Sequence, residues 1–483
     1  MAPPPRAPRR EATAHLLLRA YATLVLFSLL AYSAWFNLVG ATGAAVVLGA
    51  GTLATLAIWI PDLARRRGAR AFAWRRLPWA ALGYGTLAVA SLAWSQWPGA
   101  TALTLLLLAS CTLQGVFLAD ALSWGEIVRA LEVALRWILG LSLAVEAWVA
   151  LVVRHPILPN FFSVDGEPDP HWYWVRGNLF EAIGIGLRIQ GIVGNSNLLG
   201  MLCVVALVVF SVRLAAGLAE RAARERIAMR IVWIAVAAWL LLRAGSATSF
   251  ACAALVAVVL LAALAMRRQR SPRGRTRVYA LFTALVAAGA IAAWLGRDLL
   301  LRVAGRGEGL TGRDAIWGAV ADRAAELPVL GHGFSSPWVP WDPAFDGWIV
   351  DHGITVFQAH SMWLDAFLQL GAAGVLLVAI ACGALVWRAW FFAVDRPRWD
   401  ADGSRPFSVL SLVPLLVVWA LLVQGLTESN PIMLWGWTLI VLFSFKIKTA
   451  PVLSPVDTDA GIGTEQRWRG ARRIADPAVR AQP

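Results

Sequence analysis

Long apolar runs separated by short polar gaps dominate the chain. They fall at about 16–36, 38–60, 79–97, 99–119, 127–153, 191–217, 229–245, 248–266, 278–296, 361–387, 407–426 and 431–447, near the ~20 residues a helix needs to cross hydrocarbon. A lipid-embedded backbone must satisfy its own N–H and C=O groups, and helices do so. The pattern therefore predicts an all-α polytopic membrane protein of about 12 transmembrane helices. The Asn37 region reads as a tight external turn, and Trp94, Trp97 and Pro98 as the outer turn of the second hairpin. Two gaps are long, 154–190 and 297–360. In the second, Ile316, Trp317, Val320, Ala324 and Leu327 recur at helical spacing before Pro328, and Thr311 with Asp314 fits a capping box carrying Asp. This predicts a short amphipathic helix on the outer membrane interface.

Composition agrees: 59% of the 483 residues are hydrophobic and 15% charged, against roughly a quarter charged in soluble domains. The formal charge of +14 first suggests nucleic acid, but its placement excludes that reading. Arginines cluster in short gaps, at Arg65–Arg67, Arg70, Arg75 and Arg76, at Arg221, Arg224, Arg226 and Arg230, and from Arg267 to Arg277. The two long gaps are net acidic. This is the one-sided charge of a positive-inside topology, and it places both termini on the cytoplasmic side. No cleavable signal peptide is apparent.

The predicted organisation is a cytoplasmic disordered tail (1–15), helices 1–5 with the first external loop (16–190), helices 6–9 (191–296), a large extracytoplasmic loop (297–360), helices 10–12 (361–448) and a second cytoplasmic disordered tail (449–483). Cys111, Cys203, Cys252 and Cys382 all lie inside apolar runs, so neither disulfides nor a zinc site are expected. His332, His352 and His360 with Asp342, Asp346 and Asp351 lack metal-ligand spacing, so no metal is expected. No cofactor is expected either.

Polar residues among these runs are the candidates for chemistry. Arg313 opens the amphipathic helix, where a cation opposes the helix dipole unless an anion binds there; the alternative is pairing with Asp314 or a lipid headgroup. His360, at the entry to a span, is either an interface residue or a general base for a hydroxyl. Arg188, Asn195 and Asn197 in RIQGIVGNSNLLG either line a cavity or cap a helix. Glu146, within a span, and Glu428, at the outer end of another, are either functional or paired with polar neighbours.

Together, RIQGIVGNSNLLG (188–200), LTGRDAIWGAVADRAAELPVLGHGF (310–334), AHSMWLDAFLQLGAAG (359–374) and TESNP (427–431) resemble the O-antigen ligase / O-antigen polymerase superfamily of membrane glycosyltransferases. Ala247 departs from the pattern, since an arginine is expected after Ser246, and Arg243 is a possible substitute. The resemblance implies a GT-C-like, metal-independent inverting transferase in the bacterial inner (cytoplasmic) membrane. Its donor would be a glycan on undecaprenyl diphosphate, a polyprenyl-diphosphate carrier. Its acceptor would be a hydroxyl on a glycan, glycolipid or cell-wall polymer. It further implies Arg188 and Arg313 as diphosphate ligands, His360 as base, and Asn195, Asn197, Asp314 and Glu428 in support. A polymerase of the same superfamily is the alternative. A lipid-linked glycan flippase, of another class, would concentrate its polar groups at mid-membrane.

Overall fold

A computed structural model describes residues 9–65, 77–160, 168–181, 188–296, 313–395 and 407–449. Thirteen α-helices account for most of them: α1 (Arg9–Leu30), α2 (Tyr32–Arg65), α3 (Trp79–Ala90), α4 (Pro98–Ala121), α5 (Trp124–Trp148), α6 (Ser196–Ala219), α7 (Arg224–Ala244), α8 (Ala247–Arg268), α9 (Pro272–Leu295), α10 (Arg313–Glu326), α11 (Met362–Val394), α12 (Leu412–Gln424) and α13 (Leu434–Thr449). The one sheet among the described residues is a two-residue hairpin, β1 (Val350–Asp351) against β2 (Ile354–Thr355). Each predicted apolar run is helical. Nine helices among the described residues are long and apolar enough to cross a membrane, while those at 79–93, 409–424 and 434–449 are shorter.

The bundle is organised on α6, the most buried of the nine, which packs against α5, α7, α8 and α12. α13 packs on α4, and α11 on α3. One apolar core runs through these helices. α9 lies beside α8 and buries none of its apolar window, as suits a helix facing lipid.

Three local features differ from the expected spans, each for a backbone reason. In the Asn37 region the backbone breaks at Gly40 (φ 70°), inside α2. Asn37 is buried, and its amide donates to the Ile192 carbonyl at 3.2 Å. The run at 191–217 becomes helical only at Ser196, because Gly191 and Gly194 take left-handed φ values of 59° and 64°. α11 breaks at Gly371 (φ 61°, ψ −160°). A broken helix leaves carbonyls unmet before the break and N–H groups unmet after it. The PVLGHGF segment meets both: His332 and Gly333 N–H donate to the Leu368 and Gln369 carbonyls, and Ala372 and Ala373 N–H donate to those of Pro328 and Val329. The predicted loop motif is thus a turn segment that supplies the hydrogen-bond partners of a discontinuous helix. Irregular backbone at that depth is tolerated only where protein covers it.

α10 exists as predicted, but its stripe faces protein. Ile316, Val320 and Ala324 are buried in a second cluster with Trp97, Trp338, Phe345 and Leu368. Arg323 lies 5.1 Å over Trp97 and 4.5 Å over Trp348. Leu327 is exposed, and Thr311, the expected cap, falls outside the described residues.

Candidate functional site

Six helix ends meet at one end of the bundle: the starts of α6, α8, α10 and α11 and the ends of α7 and α12. The segment before α6 is clamped there by side chains from α5 and from the first long loop, besides Asn37. Glu146 Oε1 accepts the N–H groups of Gln190 (2.9 Å) and Gly191 (2.8 Å). Ser142 Oγ accepts that of Ile192, and Trp174 donates to its carbonyl. Glu146, fully buried in α5, therefore fixes the backbone beside Arg188. A Cβ at Gly191 would lie 2.5 Å from Ser142 Oγ, so glycine permits this approach as well as its φ.

Arg188 crosses to α7 and α6. Its Nε donates to the Ala244 carbonyl at 2.8 Å and its Nη2 to Asn197 Oδ1 at 2.9 Å. Asn197 Nδ2 then donates to Glu428 Oε1 at 3.2 Å. Arg313, the first residue of α10, donates to the same oxygen at 2.7 Å. The other oxygen, Oε2, faces His360 Nδ1 at 3.1 Å and Gln358 Nε2 at 3.4 Å. Arg313, Asn197 and His360 thus converge on one carboxylate that sequence analysis had placed among the supporting groups, and Arg188 is linked to it through Asn197.

Glu428 follows α12 and is 4% exposed. Burial alone raises a carboxyl pKa. Here the charge and hydrogen bond of His360, the Arg313 charge and the Asn197 bond outweigh it, and Glu428 is held below the ordinary carboxylate value. Facing a carboxylate, His360 Nδ1 carries the proton. In the neutral ring Nε2 is then the lone-pair nitrogen. His360 takes φ 50°, uncommon outside glycine, just before the α11 cap Ser361. A hydrogen bond from Met362 N–H to the Gly425 carbonyl joins the start of α11 to the end of α12 at 3.0 Å. Trp317 of α10 donates to the Ala359 carbonyl beside His360.

The other expected residues lie elsewhere. Asn195 caps α6, its Oδ1 accepting from Asn197 and Leu198 N–H. Asp314 is exposed in the first turn of α10. Arg243, the possible substitute for an arginine at 247, is buried and donates to the Glu181 and Asn178 carbonyls. The three loop histidines part company. His332 is buried, stacked on Trp97 and bonded to the Leu368 carbonyl; His352 pairs with Asp169 at 2.9 Å; His360 joins Glu428. Gln358 was missed. It touches Glu428 and His360 and accepts from Ser429 N–H. Its spacing of two from His360 was the available signal, because alternate residues of an extended segment share a face.

Residues 231–379 match the family described as O-antigen ligase. That stretch contains Arg313, Gln358 and His360; Arg188, Asn197 and Glu428 lie outside it. No curated protein matches the chain.

Proposed function

With an O-antigen ligase domain at residues 231–379 supporting an O-antigen ligase/polymerase superfamily member, we propose that the protein is an inverting glycosyltransferase. It moves a glycan from a polyprenyl-diphosphate carrier to an acceptor hydroxyl at the outer leaflet of the bacterial inner membrane, with both termini cytoplasmic. The observation that carries this reading is the Glu428 carboxylate bonded to both Arg313 and His360 Nδ1.

In this reading His360 Nε2 takes the proton of the acceptor hydroxyl as its oxygen attacks the anomeric carbon. The bond to the diphosphate oxygen breaks on the opposite face, which inverts the centre. A diphosphate leaves as an anion and needs charge stabilisation more than a proton. Arg188 and Arg313 supply it, since the planar fork of guanidinium suits phosphate oxygens. A guanidinium carries five donors, more than the Glu428 bond uses. Glu428 holds the imidazole in one tautomer and keeps Arg313 beside it. Asn197 ties Arg188 to the same anchor, and Glu146 holds the backbone that carries Arg188.

The test is His360→Ala in purified, reconstituted protein supplied with lipid-linked glycan and acceptor, without a membrane gradient. Losing a general base lowers turnover about 10²–10⁴-fold. Wild-type turnover in a correctly inserted His360→Ala protein would overturn the assignment. Dependence of wild-type activity on a gradient would instead favour a transporter. Ligation and polymerisation share these steps and differ in acceptor. A deletion strain separates them, because loss of ligation leaves the polymer unattached and loss of polymerisation leaves it short.

A further inference from the structure

Glu428 holds the His360 ring, but the backbone also aims that ring, and the backbone there is unusual. His360 has φ 50°, and a residue other than glycine keeps a left-handed φ only where its surroundings over-determine it. The preceding residue, Ala359, is fully buried. Buried backbone N–H and C=O groups need partners, and side chains meet both of the Ala359 groups. Its N–H donates to Asp365 Oδ2 at 3.2 Å, and its carbonyl accepts from Trp317 Nε1 at 3.0 Å. The Ala359 carbonyl and the His360 N–H share one rigid peptide plane. Holding that carbonyl therefore fixes the plane about which the His360 φ turns.

Asp365 is itself anchored. It lies in the first turn of α11 and is 1% exposed. Its other oxygen, Oδ1, accepts from Gln369 Nε2 at 3.3 Å, and Gln369 Oε1 accepts from the Ser335 N–H at 3.2 Å. The Gln369 carbonyl accepts from the Gly333 N–H at the break in α11. A chain of hydrogen bonds thus runs from the broken helix through Gln369 and Asp365 to the backbone beside His360. Trp317 approaches from another element. It stands four residues after Arg313 on α10, next to Ile316, which anchors that helix in the second apolar cluster.

We propose that Asp365 and Trp317 are positioning residues for His360, together holding Ala359 so that the His360 Nε2 stays in line with the acceptor hydroxyl. The proposal rests on the reading of His360 as the base. It gives the site a second carboxyl group, which orients the backbone of the histidine where Glu428 orients its ring. Misplacing a catalytic group by about 1 Å can cost about 10²-fold in rate. Arg188 and Arg313 keep their contacts when Asp365 or Trp317 is changed, so the loss falls on the transfer step and not on donor affinity.

The test is single-turnover transfer from lipid-linked donor in proteoliposomes carrying the full-length protein, with His360→Ala measured alongside. In Asp365→Ala the rate constant at saturating donor falls about 10- to 100-fold. The turnover amplitude and the donor concentration giving half the maximal rate stay within about twofold of wild type. A merely structural defect does the reverse, because unfolded protein lowers the amplitude and leaves the rate constant of the folded remainder unchanged. Trp317→Phe removes the indole N–H, keeps an aromatic ring, and decides the matter if Asp365→Ala folds poorly. One hydrogen bond is worth about threefold to tenfold, and the Trp317→Phe rate constant falls by that much. A wild-type rate constant in either variant, beside an inactive His360→Ala, would overturn the positioning role and leave the base in place. Weakened donor affinity at an unchanged rate constant would overturn it too. A wild-type rate in His360→Ala would instead overturn the base, and the positioning role with it.

Discussion

Glu428→Gln tests the site most directly. The substitution keeps the side chain's shape and removes its charge. Four donors now face the carboxylate: Arg313 and Asn197 on one oxygen, His360 and Gln358 on the other. Glutamine offers one acceptor oxygen and turns an NH₂ group toward two of those donors. If the oxygen stays with Arg313, the amide faces His360 Nδ1 and reverses the tautomer, so that Nε2 carries the proton and cannot accept one. If the oxygen stays with His360, the half-buried Arg313 guanidinium loses its counterion. A hydrogen bond to a charged group is worth about 1.5–3 kcal/mol, or roughly 10- to 100-fold in rate. Where a carboxylate orients a catalytic histidine in serine proteases, the equivalent amide change costs ~10⁴. The expected loss in turnover is therefore about 10²–10⁴-fold, with the fold retained. The assay is single-turnover transfer from lipid-linked donor in proteoliposomes, with monodispersity and melting temperature as controls for folding. Turnover within about threefold of wild type, under 1 kcal/mol of barrier, would refute the reasoning and leave Glu428 as packing.

Three further outcomes follow from the same geometry. Arg313→Lys keeps the charge but loses the fork, so donor affinity falls about tenfold or more, read as a raised KM for the lipid-linked donor; an unchanged KM would remove Arg313 from the diphosphate site. Because the Glu428 pKa is depressed on folding, its contribution to stability is fully present above the ordinary carboxylate value of about 4.3 and is lost as pH falls through the lower folded value. The melting-temperature gap between wild type and Glu428→Gln should accordingly be flat from neutral pH to about 5 and close below about 4; a gap that closes near neutrality would contradict it. Gly371→Ala places a Cβ against the Val329 carbonyl at a left-handed φ, so both sterics and backbone oppose it. It should destabilise by about 2 kcal/mol or more, seen as a lower melting temperature and poorer recovery of folded protein.

Hydrophobic runs determined the all-helical architecture and the approximate limits of each span. Lipid leaves the backbone few other options, so a one-dimensional pattern suffices. Arg188, Arg313, His360, Asn197 and Glu428 were also legible, because polar side chains beside apolar runs stand out against their surroundings. Their relation was not legible. Arg188 and Glu428 are 240 positions apart, and only the packing of α6 against α7 and α12 brings Asn197 between them. Likewise, apolar character could not show that α11 breaks at Gly371, since the break depends on a segment some forty residues earlier in the chain that completes its hydrogen bonds. The α10 stripe was readable from spacing, but whether it met lipid or protein was not, because both surfaces are apolar. Local propensity and hydropathy act within a few residues of sequence. Shared hydrogen bonds and charge neutralisation act across space, and the fold alone decides which groups share one carboxylate.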